Sequence, residues 1–246
     1  MAESKLFYKT IRLVGEMIIS HKNTFIFIKT NKTAGTSIEI ALSSICGPND
    51  IIPPISQEDE EVRKALGYRG PQNYLSHPLS YNIKDVARFI FKRRRKRKFF
   101  SHISAGEIKR QISPQIWDSY FKFCFERNPW DRVVSLYNWL YQMEPRPSFS
   151  EFVWSDLPLK LQARGIDLYT IDGEIAVDKI CRFENLAEEL DIVCTNLGFT
   201  EKLNLPKAKS RFRKNSRNYR DIYTEEEKAR IGKLFSREIS MLGYEF

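Results

Sequence analysis

The sequence predicts an α/β fold, a single domain over residues 1–246 whose mainly parallel central sheet is flanked by helices. Two observations point there. Short runs rich in aromatic and β-branched residues, such as FIFI and FKFCF, alternate along the chain with stretches whose apolar residues recur at helical spacing. In addition, 246 residues suffice for one full core, and no internal repeat or linker-like composition divides them.

Taken in order, residues 5–20 read as an amphipathic helix, 24–29 as a buried strand, and 36–46 as a helix stopped by Gly47-Pro48. The Pro- and Gly-rich stretch 49–82 is expected to be irregular around a short helix at 57–66. YNIKDVARFIF has a helical pattern, and KFFSHIS reads as a second strand ending near His102. Ser104 and Glu107 form an S-x-x-E capping box opening a helix to about Ile112. SYFKFCFE, 119–126, is the third strand, with WDRVVSLYNWLYQ, 130–142, as the helix after it. The remainder reads as helical at 148–155, 172–179, 184–197 and 224–241. Ligands of parallel sheets sit at the carboxyl ends of strands, so the loops after 29, 102 and 126 are expected to converge.

Composition narrows the function classes. With 42% hydrophobic and 13% aromatic residues the chain is globular rather than disordered. No apolar run approaches the ~18–20 residues needed to span a bilayer, and the N-terminus is a poor signal peptide, so a cytoplasmic protein is expected. Cys46, Cys124, Cys181 and Cys194 have no C-x-x-C spacing and only three histidines accompany them, so no metal site is expected and the thiols read as buried apolar filler. A net charge of +9 favours anionic ligands. Part of it is the run KRRRKRK, 92–98, which reads either as a solvated flank or as a patch for a polyanionic acceptor or nucleic acid; no nucleic-acid-binding motif accompanies it, so nucleic acid is the disfavoured partner.

The chemistry concentrates in the strand-end loops. FIFIKTNKTAGTSIEIAL, 25–42, sets a strand, a small-residue loop and a helix in the order that builds an anion cradle. The loop carries Lys32, Thr33, Ala34, Gly35, Thr36 and Ser37; its lysine precedes the glycine, the reverse of the triphosphate-binding order G-x-x-x-x-G-K-[ST]. An ordinary N-cap by Thr36 or Ser37 is the plainer alternative. In the third loop Arg127 leaves the strand, Asn128-Pro129 turns the chain, and Ser135 follows eight residues after Arg127. An arginine and a serine so spaced can clamp one phosphate, or Arg127 can simply pair with Glu126 or Asp131.

Together, KTAGTS after the first strand and RNPWDRVVSLY after a later one resemble the sulfotransferase family that uses 3′-phosphoadenosine-5′-phosphosulfate (PAPS), nearest its carbohydrate-type branch, sulfotransferase family 2. SHISAGEIK, CRFENL and the ending YRDIYTEEEKARIGKLFSREISMLGYEF agree with it. The resemblance implies a P-loop-like, three-layer domain in which PAPS is the small-molecule donor, 3′-phosphoadenosine-5′-phosphate (PAP) the product and no metal is required. It implies that Lys32 contacts the oxygen bridging sulfate and 5′-phosphate, and that Thr33, Ala34, Gly35, Thr36 and Ser37 hold the 5′-phosphate. Arg127 and Ser135 would bind the 3′-phosphate with Arg217 approaching it, and His102 would be the base for an acceptor hydroxyl, with Glu107 its competitor. Arg182 and Glu184 would pair and brace the adenosine pocket. The sequence departs from the family pattern at Asn31, where proline is common, and at Glu126, where an apolar residue is usual. The branch resemblance points to a saccharide acceptor. A nucleotide or sugar kinase with an atypical loop and a non-catalytic polyanion-binding protein are the alternative readings.

Overall fold

The computed structural model describes residues 17–93, 95–99, 103–206 and 218–246. Its central sheet has the order β1-β2-β3-β6, from strands β1 (Met17–Ser20), β2 (Phe25–Ile28), β3 (Phe121–Glu126) and β6 (Lys179–Arg182). β1 runs antiparallel to β2, and β2, β3 and β6 are mutually parallel.

Alternation along the strands divides the core into two faces. Ile18, Phe25, Phe27, Phe123, Phe125 and Cys181 face one side, against Ile38, Ala41 and Leu42 of α1 (Gly35–Ser43) and Leu190, Val193 and Cys194 of α10 (Leu186–Asn196). Met17, Ile19, Ile26, Ile28 and Cys124 face the other, against α4 (Ala105–Gln111), α5 (Pro114–Ser119) and α9 (Ile166–Tyr169). The result is the expected three-layer arrangement. Phe27 and Phe123, register partners, pack with ring centroids 5.3 Å apart. A third cluster joins α6 (Pro129–Leu140) to α7 (Phe149–Trp154), α8 (Leu157–Ala163) and α11 (Glu225–Leu234), through Trp130, Val133, Phe152, Leu161, Ile231 and Phe235. The remaining helices are α2 (Gln57–Ala65), α3 (Ile83–Lys92) and α12 (Ser236–Leu242).

The structure corrects the sequence reading at five places. Met17–Ser20 is a strand, not the end of a helix. Ile18 and Ile19 each bury on opposite faces of the sheet, and the turn after them is tied down by Asp50, which accepts from Ser20 Oγ at 2.6 Å, the His21 amide at 2.8 Å and the Lys22 amide at 3.0 Å. Lys98 and Phe99 are not in a strand of the sheet: both their amides donate to the Tyr74 carbonyl, at 2.9 and 3.1 Å, and Phe100, Ser101 and His102 lie outside the described residues. In 172–179 the expected helix is replaced by a hairpin, β4 (Thr170–Ile171) to β5 (Glu174–Ile175), whose turn residues Asp172 and Gly173 have φ of 51° and 87°. Asp-Gly with both φ positive is a type I′ turn, which matches the twist of the strands it joins. The last expected helix, 224–241, is two, α11 and α12. β6 was not expected at all; at four residues it is too short to announce itself by periodicity.

Candidate active site

Parallel pairing of β2 and β3 delivers their following loops to the same end of the sheet. After β2 the chain turns through Lys32 and Ala34, both left-handed with φ of 65° and 58°, before α1 begins at Gly35. Left-handed non-glycine residues cost about 1 kcal/mol each, so the loop's shape is held by its surroundings. Thr30 Oγ1 donates to the Phe125 carbonyl on β3, and Thr33 Oγ1 lies 3.0 Å from Thr30 Oγ1 and 3.2 Å from the Thr30 carbonyl. The Thr33 hydroxyl is therefore turned inward and spent on the loop itself.

The start of α1 carries no side-chain cap and no acidic residue in its first turn, although the whole helix is buried. By contrast α2, α4, α7 and α11 are capped by Ser56, Ser104, Ser148 and Thr224. The alternative of an ordinary N-cap by Thr36 or Ser37 is not realised, since Ala34 stands at the N-cap position. A buried helix start with its first N–H groups uncapped suits an anion.

Lys29, which the sequence reading passed over, explains Gly35. Its side chain crosses beneath the loop, giving Nζ an ion pair with Glu39 at 2.5 Å and a hydrogen bond to Thr36 Oγ1 at 3.2 Å. A Cβ on Gly35 would lie 2.4 Å from Lys29 Cγ, so only glycine fits. Thr36 accepts that bond and directs its own proton away from Lys29.

The third loop supplies Arg127, which is buried. Its Nε and Nη2 reach Asp131 Oδ2 at 2.8 and 2.6 Å, its Nη1 donates to the Lys32 carbonyl at 3.1 Å, and its guanidinium lies over the Phe183 ring at 4.1 Å. Asp131, Ser135 and Trp139 recur every fourth residue and share one face of α6. Lys32 Nζ lies 5.0 Å from the Trp139 ring centroid, so Ser135 falls between the residue that orients Arg127 and the one beneath Lys32. Ser135 is half-buried on that face.

Glu126 does not pair with the Arg127 side chain. It is buried, accepts from Arg132 Nη1 at 2.9 Å and from the Arg127 amide at 3.3 Å, and its pKa is raised by burial against the opposing charge of Arg132. Arg132 goes on to the Asn31 carbonyl at 2.8 Å and the Arg164 carbonyl at 3.2 Å, knitting the β2 loop, the end of β3 and the start of α9 together. Arg182 and Glu184 do not pair with each other. Glu184 accepts from the Asn128 amide at 2.6 Å, and Arg182 lies over the Tyr244 ring at 5.4 Å. Glu107 fills the capping box with Ser104, whose amide lies 3.0 Å away.

His102 and Arg217 lie outside the described residues. All four cysteines are buried free thiols, and burial pushes Cys46, Cys124 and Cys181 up in pKa, as apolar filler requires. Among the described residues no group of three or more His, Cys, Asp and Glu is placed to hold a metal, and no helix is long and apolar enough to cross a membrane.

A model of the sulfotransferase family matches residues 15–245, a span that includes both loops. The chain belongs to the sulfotransferase family. An uncharacterized Archaeoglobus fulgidus protein is 34% identical to it over 106 residues, covering 41% of this chain and 87% of that protein. The crystal structure of a sulfotransferase from Alicyclobacillus acidocaldarius aligns at 18% identity over 90% of this chain and 98% of that one, with a TM-score of 0.37. Family membership makes this protein a sulfotransferase, with a small-molecule donor and an acceptor as its substrates.

Proposed function

We propose that this sulfotransferase uses PAPS as donor and moves the sulfuryl group to a hydroxyl of a saccharide by in-line displacement. The observation that carries the reading is the hydrogen bond from Arg127 Nη1 to the Lys32 carbonyl, since it ties a cation suited to one phosphate to the loop suited to the other. A donor bearing both a 5′-phosphosulfate and a 3′-phosphate has use for both.

In this reading the amides at the start of α1 and the hydroxyls of Thr36 and Ser37 hold the 5′-phosphate, and Arg127 and Ser135 take the 3′-phosphate with Arg217. The acceptor oxygen attacks sulfur as the S–O bond to the 5′-phosphate breaks, and the electron pair stays on the phosphate oxygen. Lys32 meets the charge growing there, and His102 takes the acceptor's proton. Sulfuryl transfer resembles phosphoryl transfer in its loose transition state, so alignment and charge placement supply the rate. Trp139 beneath Lys32 limits the lysine's freedom and keeps its ammonium near the loop.

Thermal melting with nucleotides tests the donor. PAP is expected to raise the Tm clearly and AMP, lacking the 3′-phosphate, far less. Equal shifts would remove the 3′-phosphate assignment. A screen with radiolabelled donor over glycans and phenols then identifies the acceptor class.

A further inference from the structure

α3 stands apart from the core. Ile83, Val86, Ala87, Phe89, Ile90 and Phe91 fill one broad arc around its axis, while Lys84, Arg88 and Lys92 repeat every fourth residue opposite. In most surface helices such an arc faces inward. Here Ile83 is 88% exposed, Ile90 64% and Phe91 84%, and Leu79 just before the helix is exposed as well. The helix is fastened by its polar side instead. Asp85 is buried, takes Lys96 Nζ at 2.7 Å and completes a capping box with Asn82. Tyr81 Oη accepts from the Lys96 amide at 3.0 Å. The acidic residue of the helix is thereby turned inward and neutralised.

The chain leaves α3 directly into KRRRKRK, 92–98, where Arg93, Arg95, Arg97 and Lys98 are exposed. The segment thus makes two demands at once: an apolar arc to be withdrawn from water and a dense positive charge beside it. Nucleic acid answers only the charge. An apolar protein groove answers only the arc, and a second copy of this chain would bring two basic runs together. An anionic lipid surface answers both, with its acyl boundary for the arc and its phosphates for the run. Ten residues make a helix of about 15 Å, which is too short to span a bilayer and suited to lying in its plane.

We propose that α3 and the basic run after it form an interfacial docking surface that holds this sulfotransferase on an anionic membrane surface, with the Ile83–Ile90–Phe91 arc inserted at the acyl boundary. The catalytic loops are not part of it, so their assignment stands or falls separately.

Vesicle flotation of the full chain tests this, using phosphatidylcholine alone and phosphatidylcholine mixed with phosphatidylglycerol. The protein is expected to float with the mixed vesicles and to stay in solution with phosphatidylcholine alone. Ile90→Ser with Phe91→Ser, at exposed positions that leave the core intact, should weaken partitioning by about tenfold or more, and Arg93→Gln with Arg95→Gln should weaken it as well and flatten its salt dependence. Unchanged far-UV circular dichroism and melting temperature verify that both variants are folded. The proposal is overturned if the apolar variant floats like the parent while only the charge variant loses binding, which would mark a general polyanion patch, a result that equal affinity for duplex DNA would reinforce. It is also overturned if the parent dimerises in a way the apolar variant abolishes and neither floats.

Discussion

Arg127 Nη1 donates to the main-chain carbonyl of Lys32 at 3.1 Å, joining the loop after β3 to the loop after β2. Asp131 fixes the other edge of the same guanidinium at 2.6 and 2.8 Å, and Phe183 packs against its plane. Both ends of the proposed donor site are thus set by one side chain whose orientation three neighbours determine. Arg127→Lys keeps the charge but loses the fork that reaches Asp131 and Lys32 together. It is expected to weaken PAP binding by about 2–3 kcal/mol, roughly a hundredfold. Calorimetric titration measures it, and an affinity within about threefold of the parent, well under 1 kcal/mol, would mean that the charge alone matters.

Gly35 makes a separate prediction, about stability. Lys29 fills the space where a Cβ would stand and is pinned by Glu39, so Gly35→Ala must push a buried, paired lysine out of place. A loss of about 1–3 kcal/mol in denaturant unfolding is expected, with weaker PAP binding because Thr36 loses its Lys29 partner. Unchanged stability would show that Lys29 moves aside freely.

Much of this site was legible because its signals are local. The glycine, the small residues and the Arg-Asn-Pro turn each mark a strand end, and Ser104 with Glu107 gave a capping box that the structure reproduces. What stayed hidden depends on contacts between distant segments. Lys29 looks like an ordinary strand-end lysine until Glu39, ten residues on, turns back beneath it. Glu126 is anomalous in sequence beside the proposed phosphate ligand Arg127, and only the fold shows that it serves Arg132, which also reaches Asn31 and Arg164. The same holds for secondary structure: Met17–Ser20 continues a helix-like apolar pattern in sequence, but pairing with β2 decides its state. Asp172-Gly173 is a readable local turn signal, and the residues around it pair as short strands rather than continuing a helix.

The proton transfer proposed for His102 separates from donor binding. His102→Ala is expected to abolish sulfuryl transfer while leaving the PAP melting shift close to the parent's, since the imidazole is assigned to the acceptor oxygen alone. Turnover retained in this variant would remove His102 as the base. Loss of both turnover and PAP binding would assign it to holding the donor.

The last prediction concerns pH. Glu238 on α12 is buried, with neither carboxylate oxygen hydrogen-bonded to a described residue. Burial, reinforced by the charge of Glu126 and opposed by Arg132, pushes its pKa up to about 7. In the unfolded chain the same carboxyl titrates near ~4.3. Between those values the folded protein keeps a proton that the unfolded chain has released, so stability falls as pH rises through the window and levels off above about 7. Glu238→Gln keeps the side chain's size and cannot ionise, so its stability relative to the parent should improve by on the order of 1–3 kcal/mol between about pH 4 and about pH 8. Unfolding curves recorded at both ends of that range measure the gain. Parallel stability profiles for the two proteins would mean that Glu238 ionises in the fold as readily as in water, the positive charge of Arg132 offsetting its burial.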